Sequence, residues 1–261
     1  MKIAILGLAQ TGKKTLFTLL TGRTVPAARK AGEAVEGVAP IRDGRVDALS
    51  ELFQPKKTVY AENQFVLCPD VSDSGSTSRL WMDPARRCDL LCLLIRAFDS
   101  PEVFHPSGSV DPARDRAMIE SELLLADMQL VETRLQRLGK EKKGGQTQSQ
   151  ILEEQILERF SAVLEEETFL STVQLEPNEE QVIKSLDLVT RTPLIYAYNV
   201  AEDELGRDFH RRGFPVSAAF AFAGWRHVPI EIDRVANEVE AECAGHVARR
   251  AQRPRECGVV D

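Results

Sequence analysis

Gly7-Leu8-Ala9-Gln10-Thr11-Gly12-Lys13-Lys14-Thr15 is the stretch that decides how this chain is read. The apolar run Ile3-Ala4-Ile5-Leu6 precedes it, and Leu16, Phe17, Leu19 and Leu20 follow at helical spacing. A strand, a glycine-framed loop and a helix form the context that a phosphate-binding loop needs. The two glycines permit a tight curl with successive N–H groups turned inward, and the helix that follows adds its dipole. Lys13 stands where an ammonium reaches the β- and γ-phosphates. The spacing fits G-x-x-x-x-G-K. The next residue should be the Ser or Thr whose hydroxyl binds Mg²⁺, but it is Lys14, with Thr15 one place late. The loop suits phosphate and lacks its usual metal ligand. A purely structural glycine-rich turn is the plainer alternative.

The chain has 261 residues, enough for one large or two small domains with an ample core. Hydrophobic residues make up 43% and charged residues 28%, as in ordinary soluble globular proteins. A net charge of −7 argues against a surface that clings as a whole to nucleic acid or anionic membrane. Five cysteines, Cys68, Cys88, Cys92, Cys243 and Cys257, show no metal spacing, and their odd number fits reduced thiols in a cytoplasm. The N-terminus is too soon interrupted for a signal peptide, and no run is long enough to span a bilayer. A cytoplasmic protein without a membrane partner is expected.

In chain order, Gly22 to Pro40 lacks periodicity and reads as a mobile loop. Arg45 to Leu52 predicts a short helix with Val46, Leu49, Leu52 and Phe53 on one apolar face. Val59 to Cys68 predicts a strand, and Pro69 to Ser78 a polar loop. Cys88 to Phe98 holds the longest apolar run, which suits a strand covered on both faces of a parallel sheet. Ala117 to Leu138 and Ile151 to Leu170 carry apolar residues near heptad spacing, joined by a polar tip from Lys140 to Gln150. Together they predict an antiparallel helical hairpin, or coiled coil. Glu179 to Leu188 predicts a third helix. Pro193 to Val200 and Phe214 to Ala218 predict strands, and Ile232 to Val247 a helix before a basic tail. The expected fold is therefore α/β, a P-loop NTPase (G-domain-like) with a mostly parallel sheet and an inserted helical hairpin. The expected limits are residues 1–114 for the first part of the G domain, 115–188 for the insertion, and 189–261 for the second part and tail.

These pieces together resemble the Obg-like ATPase (YchF) subfamily of P-loop GTPases. The loop from Gly7 to Phe17 is similar to that family's G-L-P-N-V-G-K-S-T-L-F. Asp43 to Leu49 resembles its D-x-R-L-D-x-L segment, and Arg87 to Phe98 its R-x-C-D-A-I…V-V-R-x-F. Val110-Asp111-Pro112-Ala113-Arg114-Asp115, then Glu122-Leu123 and Ala126-Asp127, resemble V-D-P-x-R-D…E-L…A-D at the entry to its coiled coil. The resemblance covers residues 1 to 220. It implies base recognition by Asn199-Val200-Ala201-Glu202, in place of the N-K-x-D of ordinary GTPases, and by Ser217-Ala218. The family's N-x-x-E pattern goes with ATP. A longer carboxylate cannot hold the same guanine pair, and an unpaired buried partner costs about 1–3 kcal/mol. The implied ligand is ATP or GTP, with Gly7, Ala9, Gln10, Thr11, Gly12, Lys13, Lys14 and Thr15 around the phosphates and Asn199, Val200, Glu202, Ser217 and Ala218 around the base. The implied partner is the ribosome or its RNA, through Arg134, Arg137, Lys140, Lys142 and Lys143 at the hairpin tip.

The departures are as informative. The family's D-x-x-G at switch II falls on Leu67-Cys68-Pro69-Asp70, no switch I Thr is found in Ala27 to Gly37, and no TGS-type domain follows before Asp261. Mg²⁺ thus lacks an evident ligand set, unless Asp70 or Asp73 stands in or the Lys14 ammonium takes the ion's place. No catalytic residue is assigned. Three readings are open. One is a purine nucleotide binder, ATP before GTP, with weak or no hydrolysis. The second is a pseudo-GTPase scaffold working through its hairpin, and the third an active ATP/GTP hydrolase.

Overall fold

The computed structural model describes residues 1–26, 33–41, 43–72, 80–142 and 147–201, and the backbone of 218–221. Six strands form one sheet: β1 (Lys2–Leu6), β2 (Val35–Pro40), β3 (Glu62–Leu67), β4 (Leu90–Arg96), β5 (Leu194–Val200) and β6 (Ala218–Ala221). Their order is β2-β3-β1-β4-β5-β6. β2 runs antiparallel to β3, and every other pair is parallel. The helices are α1 (Lys13–Thr21), α2 (Gly44–Phe53), α3 (Met82–Ala85), α4 (Pro112–Glu141), α5 (Gln148–Glu165) and α6 (Pro177–Ile183).

The continuous apolar runs are explained by cover on both faces. Ile3 and Ile5 of β1, with Leu90, Cys92 and Leu94 of β4, pack under Leu16 and Phe17 of α1. Ala4 and Leu6, with Leu91 and Leu93, pack on the other face against Trp81, Met82, Ile119 and Leu123. Alternate residues of one strand thus enter two cores, so each strand must be apolar throughout. Cys68, Cys88 and Cys92 are buried and form no disulfide among the described residues, and burial pushes Cys88 up to about 11 and Cys92 up to about 12.

The hairpin is α4 against α5. Leu124, Val131 and Leu138, seven residues apart, are buried with Ile156, Leu157, Phe160 and Leu164. That spacing is the seam of an antiparallel coiled coil. Asp111 caps α4 by accepting from the N–H groups of Ala113 and Arg114, and Thr147 with Gln150 forms a capping box on α5.

Four details differ from the sequence expectation. β2 lies inside the stretch expected to be a mobile loop. Its pairing with β3 is non-local, and Gly37 lets it lie close on α1, because a Cβ there would come 2.8 Å from Phe17 and Thr21. α2 forms where expected but buries none of its residues, and Leu52 and Phe53 are 74% and 73% exposed. α5 stops at Glu165, and Leu170–Thr172 forms a separate 3-10 turn. α6 ends at Ile183 rather than Leu188. Of the strand expected from Phe214 to Ala218, only Ala218 is described, as the first residue of β6. The helix expected from Ile232 to Val247 and the basic tail lie outside the described residues.

Candidate functional site

The loop leaves β1 at its carboxyl end. Gly7 has φ +154°, and a Cβ there would lie 2.4 Å from the Leu94 carbonyl oxygen of β4. Only glycine lets the chain leave the sheet so close to its neighbour. Gln10 and Gly12 also have positive φ, +61° and +96°. Gly12 caps α1 with no side-chain acceptor on the first turn, so that end keeps its partial positive charge. Thr11 is buried and its hydroxyl donates to the Leu8 carbonyl at 3.1 Å, which holds the curl shut.

Lys13 begins α1 but reaches back over the loop. Its ammonium donates to the Gly7 carbonyl at 2.6 Å and to the Leu8 carbonyl, and the side chain is only 4% exposed. A third partner is Asp70 Oδ1 at 2.8 Å, on a side chain 57% exposed. Burial lowers the pKa of Lys13 from the ordinary lysine value, with Asp70 opposing the shift. Asp70 follows β3 in a segment tied to the loop. Cys68 N–H donates to the Ile5 carbonyl at 3.2 Å, and Val71 N–H to the Gly7 carbonyl at 3.0 Å.

Ala9 is half-buried, and Gln10, Lys14 and Thr15 are exposed. Among the described residues, the Lys14 and Thr15 side chains make no hydrogen bond or ion pair. Lys14 therefore lies at the solvent side of α1, not fixed in the loop. Asn199, at the end of β5, is buried, and its Nδ2 donates to the Thr11 carbonyl at 3.0 Å. Its Oδ1 is buried with no partner among the described residues. Val200 is buried beside it. Glu202, Ser217 and Asp73 lie outside the described residues, and Ala218 is described only as backbone pairing with Ala197.

The donor set fits a phosphate: an uncapped helix start, a positive-φ curl and a buried ammonium. The orphaned Asn199 Oδ1 beside the loop fits a hydrogen-bond donor on the ligand. For magnesium the usual hydroxyl ligand is replaced by Lys14, and among the described residues no three His, Cys, Asp or Glu side chains gather to hold a metal ion.

Three buried polar clusters escaped the sequence reading. Arg96 closes β4 and donates to the carbonyls of Phe98 and Val103, both at 3.1 Å, while stacking on the Phe98 ring. It organises the chain between β4 and α4. His105 Nε2 and Asp115 Oδ2 are 2.8 Å apart, and Ser107 N–H donates to Nδ1, so Nε2 carries the proton. Asp127 of α4 accepts from the N–H groups of Val189 and Thr190 and from the Thr190 hydroxyl. A charged residue inside an apolar run, as at Arg96 and Asp127, was the signal available for two of them.

At the hairpin tip, Arg134 is forked onto Glu153 at 2.6 and 2.8 Å, and Lys142 meets Glu154 at 2.6 Å. Arg137 and Lys140 are exposed and make no such pair among the described residues, and Lys143 lies outside them. No helix among the described residues is long and apolar enough to cross a membrane.

This strand order, with a G-x-x-x-x-G-K loop at the carboxyl end of β1, defines a P-loop α/β domain of the G-domain class. The chain is 34% identical over 209 residues to "Ribosome-binding ATPase YchF" of Haemophilus influenzae. It is 32% identical over 208 residues to the protein of that name in Bacillus subtilis. Each match covers 77% of this chain and 57% of the relative. The solved structure of the Schizosaccharomyces pombe YchF GTPase matches with a TM-score of 0.66 at 24% identity, over 95% of this chain and 71% of that one, and supports the fold. No family model matches the chain. The chain belongs to the Obg-like ATPase (YchF) subfamily of P-loop GTPases. It spans 57% of the length of the curated relatives it matches.

Proposed function

We propose that this chain is a purine nucleotide-binding P-loop protein, taking ATP ahead of GTP, with weak or no hydrolysis, and that it acts at the ribosome. The observation that carries the reading is the Lys13 ammonium, buried on the loop carbonyls at the start of an uncapped helix. Asn199 supports it by tying the N-x-x-E segment to the loop through Thr11. In this reading Gly7, Ala9, Gln10, Thr11, Gly12 and Lys13 surround the phosphates, and Asn199, Val200, Glu202, Ser217 and Ala218 the base. Lys14 and Thr15 contribute through the helix start alone. Hydrolysis is weak because phosphoryl transfer depends on metal and charge stabilisation, and the residue types that supply the metal are replaced. Relatives named ribosome-binding ATPases support the ribosomal role. The test is thermal unfolding with and without ATP. At a hundredfold excess over Kd, a ligand adds about 2.7 kcal/mol, a rise of several degrees in a chain of this size. Lys13→Ala should abolish the rise. An unshifted midpoint in the parent protein would contradict the reading.

A scaffold without nucleotide is the second reading, and one observation favours it. Asp70 already neutralises Lys13, so the loop is internally satisfied. The partner would then be held by the hairpin.

A further inference from the structure

We propose that Asp70 determines which phosphate chain the loop accepts. It is a tethered competitor for the Lys13 ammonium, and it makes a nucleoside diphosphate a better ligand than the triphosphate. This rests on the phosphate reading of the loop.

An ammonium has three N–H donors. Those of Lys13 serve the Gly7 carbonyl at 2.6 Å, the Leu8 carbonyl, and Asp70 Oδ1 at 2.8 Å. Two of these acceptors are the loop's own backbone. Gly7 is pressed against Leu94, and the Leu8 carbonyl is also held by the Thr11 hydroxyl. Asp70 comes from a separate segment, and at 57% exposure its carboxylate can be rehydrated when it leaves. A phosphate oxygen therefore gains Lys13 by displacing Asp70 and not a carbonyl.

The carboxylate is placed by the fold and not by chance. Cys68 and Val71, on either side of Pro69-Asp70, are buried and hydrogen-bonded to β1 and to the loop. Pro69 restricts the backbone between them. Displacement therefore moves the Asp70 side chain without freeing its backbone, and the carboxylate stays near. By the resemblance to the family, Asp70 takes the last position of D-x-x-G, so a carboxylate stands in place of an uncharged glycine. A carboxylate tethered there repels anions, and the repulsion grows with each phosphate brought to Lys13.

The experiment is calorimetric titration of the full chain, as wild type, Asp70→Asn and Asp70→Ala, with ADP and with ATP, after thermal melts confirm that all three fold. Both variants should bind ATP roughly tenfold more tightly than wild type, with a smaller gain for ADP, so that the ATP-to-ADP affinity ratio rises. Measurable wild-type binding with a ratio unchanged in both variants would overturn the role of Asp70 and leave the phosphate reading standing. Absence of binding in all three proteins at millimolar nucleotide would overturn both, and is told apart by the silence of the wild type and variants alike.

Discussion

Lys13 puts a cation where there is little water to solvate it, and its neighbours decide the cost. Burial favours the neutral amine, so the folded chain sheds a proton at a pH where the unfolded chain still holds it. The unfolded state then binds more protons, and stability rises with pH across the window from the lowered folded-state pKa up to the ordinary lysine value. Lys13→Met should flatten that part of the stability–pH curve, measured by urea unfolding at alkaline pH; an unchanged slope would contradict the burial. At Gly7 the constraint is steric. Gly7→Ala combines a strained φ with a 2.4 Å approach to the Leu94 carbonyl, and should cost roughly 3 kcal/mol in denaturant unfolding. Gly139, inside α4 with open space around it, is the contrast: Gly139→Ala should stabilise by about 0.5–1 kcal/mol. The need for glycine at 7 could be read from the motif. The bond from Asp70 to Lys13 could not, because it joins residues 57 apart through the sheet.

Elements carry their own signals unevenly. β4 and the α4–α5 hairpin were readable because their apolar residues sit at the spacing of the structure they form. β2 was not, because its Gly and Ala residues are strand-like only against β3 and α1. α2 misled in the other direction: its periodic apolar face is real in sequence but exposed in the fold. The joint between α4 and the entry to β5 depends on Asp127, invisible as a partner until both ends are in place. Burial pushes its carboxyl up while the donors of Val189 and Thr190 pull it down. Asp127→Ala would leave the Val189 and Thr190 donors without their acceptor and remove the carboxylate 3.6 Å from the Arg86 guanidinium. The expected loss is about 3–5 kcal/mol by urea unfolding. A loss within 0.5 kcal/mol, the scale of an ordinary surface change, would show that the joint does not matter.

For the whole molecule, the sheet brings three distant segments together: the loop after β1, the chain after β3 and the end of β5. Beyond the turns of α4 packed on the sheet, the α4–α5 hairpin has its own apolar seam. Its tip is less basic than its composition suggests, since Arg134 and Lys142 face glutamates. If the hairpin contacts ribosomal RNA, Arg137→Gln with Lys140→Gln should weaken ribosome binding. The salt dependence of that binding should also flatten, by about 1–2 in log–log slope, in co-sedimentation at several salt concentrations. An unchanged slope would place the contact elsewhere. On the proposed reading, a phosphate loop persists here after its usual metal ligands are replaced. Calorimetric titration of nucleotide-free protein with ATP and with GTP, each with and without Mg²⁺, tests that reading. Binding is expected, tighter for ATP, with an affinity that Mg²⁺ leaves unchanged. Binding that required Mg²⁺, or no heat with either nucleotide, would contradict it.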